Sequence, residues 1–238
     1  MTGVAMSSLP PGYRAIVVGA SGGLGAAFVA QLQADPRCGS VLALHRGSSP
    51  PLDFDDEAGV AAAAAVAADA GPGGFHLIVN AAGLLHSPQF MPEKKLGDLQ
   101  LAQMEQVFRV NSVGPALLLR HFSPLLAPGR ALMAMLSAKV GSIGDNRLGG
   151  WYSYRASKAA LNMLVRTAAI EIRRRQADAV LVALHPGTVD TGLSRPFGGA
   201  RLGRPAEQAA REMLAVLDGL QADQSGRFLS YRGEALPW

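Results

Sequence analysis

Tyr154 and Lys158 stand four residues apart in a stretch with helical periodicity, and that spacing puts two side chains on one face of an α-helix. A phenol ionises at about pH 10 in water; a close ammonium favours the phenolate and moves the group toward use as a general acid or base near neutrality. Lys158 is one of only four lysines, with Lys94, Lys95 and Lys139, among 22 basic residues, so composition does not explain its position. Gly19, Gly23 and Gly25 follow a short apolar run and precede a helical stretch. Such a turn lets backbone approach a pyrophosphate while the helix N-terminus faces its charge, although by itself it serves equally well to pack a helix on a strand. Asn80 and Asn111 lie in apolar surroundings and must find hydrogen-bond partners or cost free energy. Where a second strand is expected to end, the chain carries His45 and Arg46 and no acid. A guanidinium there matches a ribose 2′-phosphate bidentately, whereas a carboxylate would take the free ribose hydroxyls.

These residues need elements to hold them. Apolar runs at 15–18, 41–44, 77–79, 131–136 and 180–184 predict strands, alternating with predicted helices at 24–35, 59–70, 101–126 and 154–175. Pro36 closes the first helix, and Gly114-Pro115 is expected to kink the third. Near-continuous apolar strands signal a parallel sheet covered on both faces. With 238 residues, 49% hydrophobic and 17% charged, the chain can bury one substantial core. It is expected as a single domain over 13–238 behind a flexible leader at 1–12.

Cys38 is the only cysteine. It offers neither an internal disulfide nor a metal-ligand set and fits a reducing, cytoplasmic setting. The net charge is +4, but the basic residues are scattered except for Arg173, Arg174 and Arg175. That triplet ends a predicted helix, where cations complement the dipole, so no nucleic-acid partner is expected. No apolar run approaches the roughly 20 residues that span a bilayer, and 1–12 lacks a basic region followed by an apolar one. No membrane partner is expected either.

Five motifs in order carry a resemblance. Gly19-x-x-x-Gly23-x-Gly25, Asn80-Ala81-Ala82-Gly83, Asn111, Tyr154-Arg155-Ala156-Ser157-Lys158 and Pro186-Gly187-Thr188 together resemble the short-chain dehydrogenase/reductase family over about 15–191. The segment 136–146 and the closing Leu236-Pro237-Trp238 look most like its C-factor and sniffer carbonyl-reductase branch. The resemblance implies a Rossmann-type α/β fold, a doubly wound parallel sheet with helices on both faces. It implies an oxidoreductase that interconverts a small-molecule carbonyl and a secondary alcohol, with Tyr154 as general acid/base. Lys158 would lower the tyrosine pKa and bind the nicotinamide ribose, and Asn111 would anchor a proton relay. The cofactor would lie on Gly19, Ser21, Gly22, Gly23, Leu24 and Gly25, against Asn80, Ala81 and Gly83, and under Pro186, Gly187, Thr188 and Val189. Asp53 would meet the adenine amino group, and Arg46 favours NADP(H) over NAD(H).

Two departures stand out. The family's usual Ser-Ser pair reads Ser137-Ala138, leaving the carbonyl to Ser137, to Ser142 or to Tyr154 alone, with Ser137 preferred because it ends a strand. Only residues 47–52 separate Arg46 from Asp53, too few for the helix that the family normally carries between the strands ending at those two positions, so the adenine side should be unusually open. Tyr152 is expected as a wall of the substrate cleft and the Gly- and Arg-rich loop 188–202 as a lid. In relatives the helices at 101–126 and 154–175 pair across a two-fold axis, so a homodimer or homotetramer with a contact near Met163 is expected. The alternative is a cofactor-binding signalling protein of the C-factor type with little or no turnover.

Overall fold

Apolar residues at Tyr13–Val18 (β1), Cys38–Leu44 (β2), Leu77–Asn80 (β3), Ala131–Leu136 (β4), Ala179–His185 (β5) and Phe228–Ser230 (β6) form one sheet in a computed structural model that describes residues 4–238. All six strands run parallel in the order β2-β1-β3-β4-β5-β6. The order reverses beside β1, and Val18 pairs with both Leu44 and Asn80. The loops leaving β1 and β3 therefore emerge side by side and open the crevice in which α/β sheets take ligands.

Both faces of the sheet are covered, as continuous apolar strands require. α1 (Gly23–Gln33) and α7 (Ala206–Gly219) pack on the face that carries Ala15, Val17, Leu132 and Ala134. α2 (Glu57–Ala70), α4 (Gly114–Phe122) and α5 (Tyr152–Arg175) cover Ile16, Val18, Met133 and Met135 on the other. The alanine tract is thus a packed helix, started by Asp56, whose carboxylate accepts the Gly59 N–H at 2.9 Å. No helix among the described residues is long and apolar enough to cross a membrane.

Four expectations need correction. The helix expected over 101–126 is α3 (Leu101–Phe108), a π-turn at Arg109–Val113, and α4. The interruption falls around Asn111, not at Gly114-Pro115; Pro115 rides in the first turn of α4, where proline is tolerated. α5 begins at Tyr152, two residues before the expected start. Residues 4–12 are no free leader: Met6 and Leu9 are buried, and the Met6 N–H donates to Asp35 at 2.9 Å; residues 1–3 lie outside the described residues. Finally α7 and β6 close the sheet beyond the last expected strand, and α6 (Gly199–Leu202) interrupts the loop before them. Residues 45–56 pass from β2 into α2 with no helix between them, and β2 is the edge strand of the sheet.

Candidate active site

A cavity of about 650 Å³ lies along the ends of β1, β3, β4 and β5, between the glycine turn and the Pro186-Gly187 turn. Its floor depends on Gly19, whose φ is +77° and whose Cβ, if present, would stand 2.7 Å from the Ala82 nitrogen. A side chain would pry the two switch-point loops apart. Gly25 packs beneath Gly19 in the same way. α1 starts at Gly22 with no side-chain cap, so its first N–H groups are left for an anion. Gly22, Gly23, Leu24, Ala81 and Gly83 line this end, and Ser21 is exposed at its rim.

Asn80 accepts the Ala82 N–H at 3.1 Å through Oδ1, while its Nδ2 is buried with no partner. A buried orphan donor costs free energy until something accepts from it. Opposite, Pro186, Gly187, Thr188 and Val189 form the far wall. Arg204 pins it: its N–H donates to the Thr188 carbonyl at 3.0 Å, its guanidinium donates to the Pro186 carbonyl and pairs with Glu212, and it stacks 3.5 Å over the Tyr231 ring. Bare helix N-terminus, orphan donor and close-packed glycines together fit an extended dinucleotide. Arg46 and Asp53 lie outside the cavity lining; Arg46 is exposed beyond the end of β2, and Asp53 accepts the Asp55 N–H.

α5 carries Tyr154 and Lys158 to the cavity wall, 7% and 3% exposed. The Lys158 Nζ donates to the Leu136 carbonyl at 2.9 Å and sits 5.9 Å from the Tyr154 ring centre. Burial pushes the Tyr154 phenol well above its ordinary pKa and pushes Lys158 down to about 8. The sequence-based expectation of a phenol lowered by its lysine is therefore reversed in the protein alone, because losing water disfavours both charges. The π-turn turns Asn111 inward. Its Oδ1 accepts the Leu84 N–H at 2.8 Å, and its Nδ2 donates to the Leu84 carbonyl at 2.7 Å and to Ser157 Oγ at 3.1 Å. A Cβ on Gly83 would lie 3.6 Å from Asn111 Oδ1 and 3.7 Å from Lys158 Nζ, so the amide fixes the loop beside the ammonium.

Neither serine has a free proton for the cavity. Ser137 reaches the wall, but its hydroxyl donates to Asn162 Oδ1 at 2.7 Å, on the buried side toward α5. Ser142 lies away from the wall, its hydroxyl 3.3 Å from the Trp238 carbonyl. Ala138 lines the cavity without a hydroxyl. Tyr152 also turns away, lining a separate apolar hollow beside 140–150.

Other residues complete the site. Gly149, Gly150 and Trp151 take successive φ values of +63°, +65° and +52°. Two glycines adopt this left-handed path freely; a tryptophan in it costs about 1–3 kcal/mol. What holds Trp151 is the Glu93 carbonyl, which accepts its N–H at 2.5 Å, while the buried Glu93 carboxylate accepts from the Ser153 N–H and hydroxyl. Arg155 donates to the carbonyls of Gly149 and Gly150. The result sets Trp151 edge-to-face on Tyr154. The adjacent glycines before an aromatic at a helix start were the readable signal; nothing in the sequence marks Glu93. His185, also on the wall, is held down to about 4 by burial and by the charges of Lys139 and Arg204, and is neutral at physiological pH.

Residues 23–219 match the family model described as enoyl-(acyl carrier protein) reductase. The chain belongs to the short-chain dehydrogenase/reductase family. It is 40% identical over 144 residues to the C-signal of Myxococcus xanthus, covering 60% of this chain and 83% of that one. To the 1-hydroxy-2-glutathionyl-2-methyl-3-butene dehydrogenase of Rhodococcus sp. (strain AD45) it is 32% identical over 189 residues, 79% of each chain. Among solved structures, the NADPH-bound carbonyl reductase from chicken fatty liver superposes with a TM-score of 0.83 at 28% identity, over 97% of this chain and 96% of that one. This short-chain dehydrogenase/reductase is accordingly an oxidoreductase of the CH–OH/C=O type that takes a nicotinamide cofactor.

Proposed function

We propose that this protein reduces a small-molecule carbonyl to a secondary alcohol with NADP(H), and catalyses the reverse, with Tyr154 as the proton donor. The observation that carries the reading is the burial of Tyr154 and Lys158 together on the wall between the glycine turn and the Pro186-Gly187 turn. When bound, the nicotinamide supplies the hydride. Tyr154, kept protonated by burial, gives its proton to the carbonyl oxygen as negative charge develops there. Lys158 would bind the nicotinamide ribose with the ammonium protons that Leu136 does not take. Asn111 holds Gly83 and Leu84 against that ammonium. With the Ser137 proton given to Asn162, the geometry favours polarisation of the carbonyl by Tyr154 without a serine. Arg46, exposed where a 2′-phosphate would emerge, supports NADP(H) over NAD(H).

Its likeness to the C-signal keeps a second reading alive, a cofactor-binding regulator with little turnover. The buried Tyr154–Lys158–Asn111 set argues for chemistry, since a pure binder has no use for a desolvated proton donor. Steady NADPH oxidation across a carbonyl panel decides: turnover with at least one carbonyl is expected, and tight NADPH binding with no oxidation would favour the regulator. The unpaired Cys38 thiol suits a reducing, cytoplasmic setting. We further infer a homodimer or homotetramer built on the helical stretch 101–126, that is α3, the π-turn and α4, together with α5.

A further inference from the structure

Three rings from three separate segments line the cavity beside Tyr154. His86, after β3, meets Phe197 of the 188–202 loop at 5.7 Å and 64°; Phe197 meets Trp151 at 5.0 Å and 62°; Trp151 meets Tyr154 at 6.2 Å and 79°. All four line the cavity. The chain of edge-to-face contacts ends on the proposed proton donor, so whatever presents a carbonyl to Tyr154 lies against ring faces and edges. Trp151 is held there in a left-handed backbone by Glu93 and Arg155, which marks its orientation as maintained by the fold rather than incidental.

Charge at this end is already spent. Lys139 pairs with Asp145 at 3.3 Å, Lys158 donates to Leu136 and in the proposed complex gives its remaining protons to the nicotinamide ribose, and His86 Nε2 lies 3.2 Å from the Gly192 carbonyl. His185 is neutral near physiological pH. A substrate carboxylate or phosphate would find no unengaged cation among these groups and would lose its hydration for nothing in return. Val140 and Leu193 complete the wall.

We propose that the substrate is a neutral aromatic carbonyl compound, an aryl ketone or aryl aldehyde, whose ring is gripped by Trp151 and Phe197 while its carbonyl faces Tyr154. This rests on the carbonyl-reductase reading, but binding tests it without turnover. Acetophenone and cyclohexyl methyl ketone match in size and differ in ring character; each is titrated calorimetrically into the protein with NADP+ bound, a complex that cannot reduce a ketone. Edge-to-face pairing predicts acetophenone about tenfold tighter. Phe197→Leu and, independently, Trp151→Leu should shrink that ratio to about twofold, with NADP+ affinity retained as the sign of a folded protein. Benzoate should bind more weakly than methyl benzoate to the NADPH complex, whose nicotinamide ring is uncharged and which reduces neither. Equal affinity for the two ketones, a ratio unmoved in folded Phe197→Leu, or tighter binding of the free acid would each overturn the proposal. Absence of NADPH oxidation, by contrast, strikes only the reductase reading.

Discussion

Tyr154 and Lys158 titrate almost wholly buried, and their protonation follows from that. In the reducing direction a phenol that keeps its proton is the useful form. Lys158, pushed down to about 8, carries its charge below that pH and loses it above, and with it the proposed grip on a ribose. We therefore expect kcat/KM for carbonyl reduction to hold steady at lower pH and to fall as pH rises through about 8. In Lys158→Arg, whose guanidinium stays charged, the alkaline limb should move upward; an unchanged limb would remove Lys158 from the profile. The serines offer a second test. With the Ser137 proton committed to Asn162, Ser137→Ala and Ser142→Ala should each leave kcat within a few-fold, whereas loss of an oxyanion donor would cost on the order of a hundredfold. Arg46→Ala should weaken NADPH binding about tenfold, allowing for its exposure to solvent, and leave NADH unchanged. Equal losses would contradict the phosphate assignment.

At the scale of elements, α5 matters most, because its first turn aims Tyr154. The positive end of this helix receives the buried carboxylate of Glu93, an arrangement the helix dipole favours. Glu93→Ala leaves buried donors on Ser153 without a partner and should cost about 1–3 kcal/mol. Thermal unfolding would read the loss, and Glu93→Gln, which keeps an acceptor, should recover part of it; an unchanged Tm in Glu93→Ala would refute the cap. The sequence makes α5 and the apolar strands β1, β3, β4 and β5 legible because periodicity and β-branching are local signals. Glu93 is illegible for the opposite reason: it acts on a helix sixty residues away in the chain. The π-turn at Asn111 escapes for lack of any local marker. α7 could have been read, since Ala209, Ala210, Met213, Leu214 and Leu217 recur at helical spacing. The buried Met6 and Leu9 could not, because a short apolar pair near a terminus says nothing about the core it joins. In the site, the glycines and the Tyr-Lys pair are legible as spacing, whereas Trp151, Phe197 and His86 meet only once the chain is folded.

For the whole molecule, the sheet's order sets both the ligand crevice and the outer surfaces. α5 turns Met163 and Ile170 outward, 67% and 49% exposed, and the neighbouring π-turn exposes half of Val113. An apolar stripe on the outside of two adjacent helices is commonly buried by two-fold pairing. Sedimentation at micromolar concentration should show a dimer or tetramer, and Met163→Glu should shift it toward the 24.7 kDa monomer. A single monomeric species in the wild type would defeat this assembly. In the proposed reaction the fold meets the chemistry at the proton of Tyr154. The measurement that reaches it is single-turnover alcohol formation from NADPH and a reducible carbonyl, compared between the wild type and Tyr154→Phe at equal cofactor occupancy. Removing one hydroxyl and almost no volume should slow the reaction by about a hundred- to ten-thousand-fold while NADPH affinity stays unchanged. Alcohol formed by the Phe variant at nearly the wild-type rate would show that the proton comes from elsewhere.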